Sequence, residues 1–370
     1  MDGENAHPPR FLGTPMTAIR QAIRNAAYAS GALAAYHRRR NAATLTVVMF
    51  HRVLPADRLV GADPEYTVSA DLFAACLRFF RQHYNVVDLA EVLAARSSRR
   101  RLKERALLIT FDDGWADNAC VALPLLRQEG LPATVFVATD AVADPSPCWW
   151  QETLLRPLRE GHVSYEALWR LLPGPSAPIP AGPDRELRLL LRFHDCDAAA
   201  RARALAPFVD TAAQRHMMTL DMVRRLPSDG IAVGAHGASH MPLSFLPSPF
   251  ADLARARTAL AGLWNDGAGR PQTLACPHGR WSAEVAQAAR AVGFQLIFTS
   301  EPWLNATVDG ALSGDVLGRV DIPAHQIVAA DGSLSPDRLA TWLFTRPQRP
   351  PGITAASFPG RLAAAQQEAS

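Results

Sequence analysis

The stretch Leu107-Leu108-Ile109-Thr110-Phe111-Asp112-Asp113-Gly114-Trp115 decides how the rest of the chain is interpreted. Its apolar and β-branched residues are typical of a strand covered on both faces, and Gly114 allows a sharp turn after it. Successive side chains of a strand point in opposite directions, so Asp112 and Asp113 are expected to diverge. One carboxylate can then bind a metal ion while the other accepts a proton from water, although Asp-Asp-Gly also suits a solvated turn.

A second stretch supplies candidate metal ligands. In Ile231-Ala232-Val233-Gly234-Ala235-His236-Gly237-Ala238-Ser239-His240, a short apolar run is followed by two histidines four positions apart. On a helical turn this spacing places both imidazoles on one face, as in zinc-binding histidine pairs; unrelated surface histidines are the alternative. Together with one aspartate, His236 and His240 form a set that leaves coordination positions open for water and substrate. Such an open set is typical of a catalytic metal site.

A third segment, Leu274-Ala275-Cys276-Pro277-His278-Gly279, completes a pattern that resembles a known family. The order and spacing of residues 110–114, 236–240 and 277–279 are similar to those of the polysaccharide deacetylases with a NodB homology domain, which are carbohydrate esterase family 4-like. The resemblance covers residues 44–325. A Phe-His-Arg segment at residues 50–52 is similar to the opening of exopolysaccharide-type members.

The resemblance implies a cofactor, a reaction and several residue roles. It implies that Asp113, His236 and His240 bind a divalent metal ion, in the usual case Zn²⁺, and that Asp112 is the general base. Metal-bound water then attacks the acetyl carbonyl of an N-acetylated amino sugar in a polysaccharide or oligosaccharide. The expected substrate-binding residues are Trp115, Pro277, His278 and Gly279. An acetylated carbohydrate is therefore the expected substrate, with a role in exopolysaccharide biosynthesis.

Two departures from the family pattern leave the general acid open. The strand residues directly before Pro277, Leu274-Ala275-Cys276, include no arginine, and residues 296–300 contain no Leu-x-His segment. The available histidines near strand ends are, in order of preference, His51, His278 and His325. Since an ester has a better leaving group and needs less acid catalysis, an O-acetyl glycan esterase remains an alternative. A catalytically weak carbohydrate-binding relic is the second alternative.

The composition is that of an ordinary soluble globular protein, with 48% hydrophobic and 20% charged residues among 370. The formal net charge of +3 is too small to favour nucleic acid as a partner. Five scattered cysteines without a Cys-x-x-Cys pair favour a reducing compartment. No apolar run has the length of a transmembrane helix, and no compact signal peptide stands near the start. We therefore expect a cytoplasmic protein, with a secreted or peripheral membrane location less favoured.

Three regions are expected along the chain. Residues 1–43 form an N-terminal tail and, from Pro15, a helix that either braces the main domain or lies on a membrane surface. Residues 44–345 form the main domain, in which strands alternate with helices around a helical insertion at about residues 152–218. The segment Cys148-Trp149-Trp150-Gln151 suits a wall of a sugar site and equally suits plain packing. Residues 346–370 form a proline- and alanine-rich tail.

The repeated strand and helix units predict the fold class. About seven units, with the chemistry at the ends of different strands, indicate an α/β fold that is a distorted, incomplete (β/α)7 barrel. The family resemblance implies the same architecture. In such a barrel the active face is the rim at the carboxyl ends of the strands. His51 directly follows the first predicted barrel strand, residues 44–50, and is therefore a candidate catalytic residue.

Overall fold

The computed structural model describes residues 15–172, 179–180, 182, 184–209, 215–264, 271–312 and 314–349. The described strands are β1 (Thr44–Phe50), β2 (Arg52–Leu54), β3 (Thr67–Ser69), β4 (Asn85–Val86), β5 (Ala106–Phe111), β6 (Ala133–Val137), β7 (Ile231–Ala235), β8 (Thr273–Ala275), β9 (Leu296–Phe298), β10 (Leu304–Val308), β11 (Ala311–Leu312), β12 (Val316–Leu317), β13 (Val320–Asp321) and β14 (Gln348–Arg349). The described α-helices are α1 (Pro15–Ala29), α2 (Ala32–Arg40), α3 (Ala70–His83), α4 (Leu89–Arg96), α5 (Leu123–Glu129), α6 (Thr139–Ala143), α7 (Trp150–Arg159), α8 (Tyr165–Leu171), α9 (Arg185–His194), α10 (Ala198–Leu205), α11 (Leu220–Arg225), α12 (Pro249–Ala261), α13 (Ala283–Val292), α14 (Ala324–Ile327) and α15 (Pro336–Phe344).

Seven parallel strands form a curled sheet at the centre of the described chain. Their order is β1-β5-β6-β7-β8-β9-β12, and every neighbouring pair is parallel. The antiparallel pair β10 and β11 lies beside β1. β1 and β5 are buried along their whole length, as expected for parallel strands covered on both faces. The predicted incomplete (β/α)7 barrel is confirmed.

The two ends of the parallel sheet are bridged by one chain segment. β12 pairs with β9; after Gly318 and Arg319 the same segment continues as β13, which pairs with β1. Asn305 holds the break between β12 and β13. Its Nδ2 donates to the carbonyl oxygen of Gly318 at 2.9 Å, and its Oδ1 accepts from the Gly318 N–H at 2.8 Å. This interruption of the ladder places Arg319 between the first and last strands of the barrel.

The predicted helical insertion lies between β6 and β7. Helices α7 to α10 pack around an apolar cluster of their own, which includes Leu154, Leu168, Leu189 and Phe193 and is separate from the main core. A second apolar centre means that this part of the insertion is a small helical unit and not a loose loop. Within residues 173–183 of the insertion, the described residues are 179, 180 and 182.

The N-terminal helix contacts the end of the main domain. Arg24 Nε donates to Asp337 Oδ2 at 2.5 Å, which ties α1 to α15. Ile19 and Ile23 on α1 are 60% and 64% exposed, so the membrane-surface interpretation stays a prediction beside the bracing contact. None of the helices among the described residues has the length and apolar character needed to cross a membrane. Residues 1–14 and 350–370 lie outside the described residues.

A short strand leads directly into α4. β4 ends at Val86. Asp88 caps α4, because its side chain accepts from the Glu91 N–H while the Glu91 side chain accepts from the Asp88 N–H. This reciprocal capping box fixes the start of the helix at Leu89.

Candidate active site

Asp112 and Asp113 follow β5 and point to different partners. The turn is sharp because Asp113 and Gly114 adopt positive φ angles of 76° and 93°. The N–H of Gly114 donates to the carbonyl oxygen of Asp112 at 3.0 Å, which closes the turn. Asp112 faces Arg319, whereas Asp113 faces His236 and His240. The predicted divergence of the two carboxylates is therefore present.

Asp113, His236 and His240 form a buried cluster. Oδ1 of Asp113 lies 3.3 Å from Nε2 of His236 and 2.9 Å from Nε2 of His240. Each Nδ1 has an oxygen partner: the Ala275 carbonyl oxygen is 2.9 Å from His236, and Gln151 Oε1 is 3.0 Å from His240. An oxygen acceptor holds the ring proton on Nδ1 and leaves the Nε2 lone pair free, which is the usual state of a metal-ligating histidine.

The donor atoms of this cluster fit a divalent cation. One potential ligand atom from each of the three residues lies within 4.8 Å of the others. Oδ1 of Asp113 is buried without a hydrogen-bond partner among the described residues, while Oδ2 accepts from Trp115 Nε1 at 2.8 Å. A buried carboxylate oxygen that faces two nitrogen lone pairs is unfavourable unless a positive charge lies between them. One carboxylate and two imidazoles are ordinary zinc ligands.

The predicted helical turn between His236 and His240 is wrong. β7 ends at Ala235, and the following loop contains positive φ angles of 67° at Gly237 and 56° at His240. Two backbone N–H groups of this loop donate to the carboxylate of Asp252 at 2.7 and 3.1 Å. The loop folds back on itself, and the two imidazole rings meet with their centroids 5.0 Å apart. The spacing of four thus brings the ligands together through a loop.

Arg319 is a site residue that the sequence analysis missed. Its Nη1 and Nη2 donate to Oδ1 and Oδ2 of Asp112, each at 2.6 Å, and both side chains are buried. Burial would raise the pKa of Asp112, but the Arg319 guanidinium and then His236 outweigh burial and hold that pKa below its ordinary value. The sequence signal was an arginine within the mostly apolar segment 316–322, since a buried charge requires a partner.

The two aspartates, Arg319 and the two histidines line one cavity of about 470 Å³. Of the other predicted site residues, His51, Trp115, His278 and Gly279 also line it. Pro277 does not: it is buried beneath the loop, where a Cβ on Gly237 would lie 3.3 Å from Pro277 Cγ. The structure therefore brings together all predicted site residues except Pro277, which supports the loop from below.

The third motif shapes one wall of this cavity. His278 and Gly279 have positive φ angles of 54° and 63°, and a Cβ at residue 279 would collide with Ser300. His278 Nε2 lies 3.2 Å from the carbonyl oxygen of His240, and the two rings are 4.7 Å apart. Burial, followed by the nearby His240, lowers the pKa of His278 to about 3. The ring of His278 is thus a neutral support for the loop that carries His240.

His51 and His325, the other two candidate acids, lie in different surroundings. His51 follows β1 on the cavity wall; its Nδ1 is buried without a hydrogen-bond partner among the described residues, and its ring meets Tyr66 edge-on at 4.7 Å. The carboxyl of Asp321 lines the same cavity. Burial raises its pKa, and the nearby His51 opposes that rise in part. His325 is outside this cavity, with Nδ1 3.7 Å from Glu65 Oε1.

The insertion forms part of the cavity wall. Helix α7 contributes Gln151, Glu152, Leu155 and Arg159 to the cavity lining, and Trp149 lies just before it. Two ion pairs fasten the insertion to barrel loops on the cavity wall. Arg159 Nη1 lies 3.6 Å from Asp63 Oδ2, and Arg280 Nη2 lies 2.7 Å from Asp184 Oδ1.

Comparison with known proteins gives a family match. The model of a family described as polysaccharide deacetylase matches residues 99–165 and 198–297, which include Asp112, Asp113, His236, His240 and the third motif. YxkH of Bacillus subtilis, which carries the name of a polysaccharide deacetylase, is 19% identical over 263 residues. That match covers 70% of this chain and 66% of YxkH, so the chain spans just under two thirds of this relative.

Solved structures show the same fold at low sequence identity. The Streptococcus pyogenes deacetylase PplD, solved in complex with acetate, is 18% identical with a TM-score of 0.51, over 81% of this chain and 98% of PplD. IcaB from Ammonifex degensii is 20% identical with a TM-score of 0.50, over 82% of this chain and 97% of IcaB. The family-model match, which contains all three motifs, supports membership of the polysaccharide deacetylase family of hydrolases, and the solved structures share the fold of this chain.

Proposed function

We propose that this chain is a metal-dependent hydrolase that removes N-acetyl groups from an amino-sugar polysaccharide or oligosaccharide. The observation that carries the proposal is the separation of two adjacent carboxylates. Asp112 is bound at both oxygens by Arg319, whereas Asp113 faces two imidazoles. An ionised carboxylate beside a metal-ligand cluster, but outside it, is what a hydrolase needs to take a proton from water.

Asp113, His236 and His240 would hold the metal ion. A divalent cation bound there supplies Lewis acidity, which makes water more acidic and polarises an acetyl carbonyl. We prefer Zn²⁺, because two imidazoles and one carboxylate with open positions are the ligand set of many catalytic zinc sites. Trp115 Nε1 donates to Oδ2 of Asp113, so Oδ1 is the oxygen that would face the metal ion together with the two histidines.

Asp112 is the proposed general base. Its Oδ2 lies 3.9 Å from His236 Nε2, so it is next to the ligand set without belonging to it. Arg319 occupies one lone pair on each carboxylate oxygen, and the second lone pair of each oxygen stays available for a proton from water. The bidentate contact also fixes the plane of the carboxylate, which positions the base.

His51 is the proposed general acid for the leaving amine. It lies on the cavity wall, and its buried Nδ1 has no hydrogen-bond partner among the described residues. The carboxyl group of Asp321 lines the same cavity. His278 is less suitable because its Nε2 contacts the carbonyl oxygen of His240. His325 is excluded from the cavity by its position beside Glu65.

The cavity has the size and walls of a carbohydrate site. Its volume of about 470 Å³ falls in the range of pockets that bind small ligands. Trp115, Trp149 and Tyr66 give it aromatic walls, against which sugar rings can pack. The related structure of PplD was solved with acetate, which is the acid product expected of deacetylation.

The experiment that tests this proposal measures acetate release from N-acetylglucosamine oligomers and hydrolysis of p-nitrophenyl acetate by the zinc-loaded protein. We expect oligomer deacetylation, and a loss of about 10²- to 10⁴-fold in an Asp112→Asn variant because the base is removed. Hydrolysis of the ester alone would instead support the O-acetyl esterase, which the absence of a histidine in residues 296–300 favours. Hydrolysis of neither substrate would support the binding relic.

A further inference from the structure

Gln151 joins the helical insertion to the metal-ligand cluster. It is the second residue of α7, it is only 4% exposed, and its Oε1 lies 3.0 Å from Nδ1 of His240. The two residues are 89 positions apart in the sequence. The contact therefore exists only when the insertion is packed against the barrel rim.

The chemistry of the histidine fixes the direction of this hydrogen bond. His240 presents Nε2 to the cluster, 2.9 Å from Asp113 Oδ1, and metal ligation there requires a lone pair on Nε2. The ring proton of the neutral imidazole must then lie on Nδ1, where it needs an acceptor. The amide oxygen of Gln151 is that acceptor, so Nδ1 of His240 donates and Oε1 of Gln151 accepts.

The amide nitrogen of Gln151 does not explain why a glutamine occupies this buried position. Its Nε2 is buried and has no hydrogen-bond partner among the described residues. A buried amide N–H₂ without a partner destabilises a fold, so an apolar side chain of similar shape would suit the packing better. The contact between Oε1 and His240 is what accounts for an amide at this place.

The two metal-site histidines are held in different ways. Nδ1 of His236 bonds to the carbonyl oxygen of Ala275 at the end of β8, so the barrel itself orients this ring. His240 sits on a loop with a positive φ of 56°, outside any strand. Its ring is oriented by Gln151 and by an edge-on contact of 5.0 Å with Trp149, the residue directly before α7.

We propose that Gln151 is a positioning residue for the metal ligand His240, so that the insertion completes the metal centre. This inference rests on the proposed function, because it assumes that the cluster binds a divalent metal ion. Hydrogen-bond partners of ligating histidines fix the tautomer and the ring orientation, and losing one costs about 10- to 100-fold in metal affinity or activity. The insertion then affects metal retention in addition to shaping the substrate cavity.

The test compares metal affinity among variants of the full chain. Gln151→Leu removes the oxygen that accepts from His240 Nδ1. Gln151→Asn shortens the side chain by one methylene and so moves that oxygen away from the ring. Gln151→Glu keeps an acceptor oxygen on a side chain of the same length. Thr153→Val is the matched control on the same helix, since among the described residues the Thr153 hydroxyl bonds only to the Trp149 carbonyl oxygen. Zn²⁺ dissociation constants are measured by competition with a chromophoric chelator, Co²⁺ coordination by visible absorption, and folding by urea midpoints.

We expect the Zn²⁺ dissociation constant to rise about 10- to 100-fold in Gln151→Leu and Gln151→Asn, with an altered Co²⁺ spectrum. Gln151→Glu should stay within a few-fold of wild type, and Thr153→Val should match wild type. If Gln151→Leu does not fold, the Zn²⁺ dissociation constant of Gln151→Asn is the test of the proposal. Wild-type affinity and an unchanged Co²⁺ spectrum in a folded variant without the acceptor would overturn the role of Gln151 alone. A wild-type protein that binds neither metal would overturn the proposed function together with it.

Discussion

Arg319 donates to both carboxylate oxygens of Asp112 at 2.6 Å, and the two residues are 207 positions apart in the sequence. Arg319 lies between β12 and β13, where the last strand of the barrel is bridged to the first. The same chain segment therefore bridges the barrel and keeps the proposed base ionised. This link between the fold and the chemistry leads to the first prediction.

Arg319→Met should destabilise the protein and impair catalysis while leaving the metal ligands in place. Removing one member of a buried ion pair leaves the other charge uncompensated, which costs about 3–5 kcal/mol of unfolding free energy. Without the guanidinium, burial should raise the pKa of Asp112, so a smaller fraction of the base is ionised. Urea denaturation and acetate release measure the two effects.

The double variant Asp112→Leu plus Arg319→Met is the control for the stability effect. Replacing both members of a buried ion pair with apolar residues is often neutral or stabilising. We therefore expect its unfolding free energy to recover above that of Arg319→Met, while activity stays lost. An Arg319→Met protein as stable and as active as wild type would show that the pair has neither role.

His51→Gln should distinguish the amide from the ester reaction. If His51 protonates the leaving amine, acetate release from N-acetylglucosamine oligomers should fall by about 10²- to 10⁴-fold. Hydrolysis of p-nitrophenyl acetate should fall much less, because its leaving group needs little protonation. His325→Gln, outside the cavity, should change neither rate. Equal losses on both substrates in His51→Gln would argue against the acid role.

Gly234→Ala should destabilise the strand that carries the ligand loop. A Cβ at this position of β7 would collide with the ring of Phe136 and lie 2.8 Å from Thr273 Oγ1. Overpacking of this kind costs about 1–3 kcal/mol, and the shift should also displace His236, two residues later. Thermal or urea unfolding measures the effect. In the control Gly262→Ala, the new Cβ would lie 3.5 Å from the nearest atom, and stability should be unchanged or higher.

Burial of His37 should make the protein less stable in mild acid. The ring stacks on Phe344 at 4.0 Å, and burial lowers its pKa from 6.5 to about 3. Below pH 6.5 the unfolded chain binds a proton at His37 that the folded chain does not. The full unfolding free energy is therefore present above pH 6.5, and part of it is lost as the pH falls from 6.5 towards 3. The loss from this group between pH 7 and pH 5 should be about 2 kcal/mol.

Unfolding free energies of wild type and His37→Phe at pH 7 and pH 5 measure this contribution. Phenylalanine keeps an aromatic ring against Phe344 but does not titrate. The difference between the two pH values should therefore shrink by about the predicted amount in the variant. An equal pH dependence in both proteins would show that His37 is not responsible.

Local sequence patterns predicted much of the barrel and half of the site. The apolar run of β5 ending on Asp112 and Asp113 is a local signal, because strand burial and turn formation depend on neighbouring residues. The proximity of Asp113 to His236 and His240 followed from the rule that parallel strands end at the same rim. The helical turn was predicted wrongly because spacing alone does not reveal two left-handed residues in a loop.

The remaining site residues depend on contacts that no local pattern reports. Arg319 reaches the site from the segment between β12 and β13, 207 residues from its partner Asp112. Gln151 reaches it from the insertion, 89 residues from its partner His240. Each carried a weak signal: a charge inside an apolar run, and an amide beside two tryptophans. Neither signal names the partner, because side chains distant in sequence meet only after the sheet has curled and the insertion has packed.

The proposed metal centre is tested by the metal content of the purified protein and of the His236→Ala plus His240→Ala double variant. Elemental analysis should be combined with acetate release from N-acetylglucosamine oligomers on the same samples. We expect about one divalent metal ion per wild-type chain, bound by three ligands, and loss of both metal and activity in a double variant that still folds. Wild-type protein that binds no metal even after reconstitution, or a double variant that retains metal and activity, would contradict it.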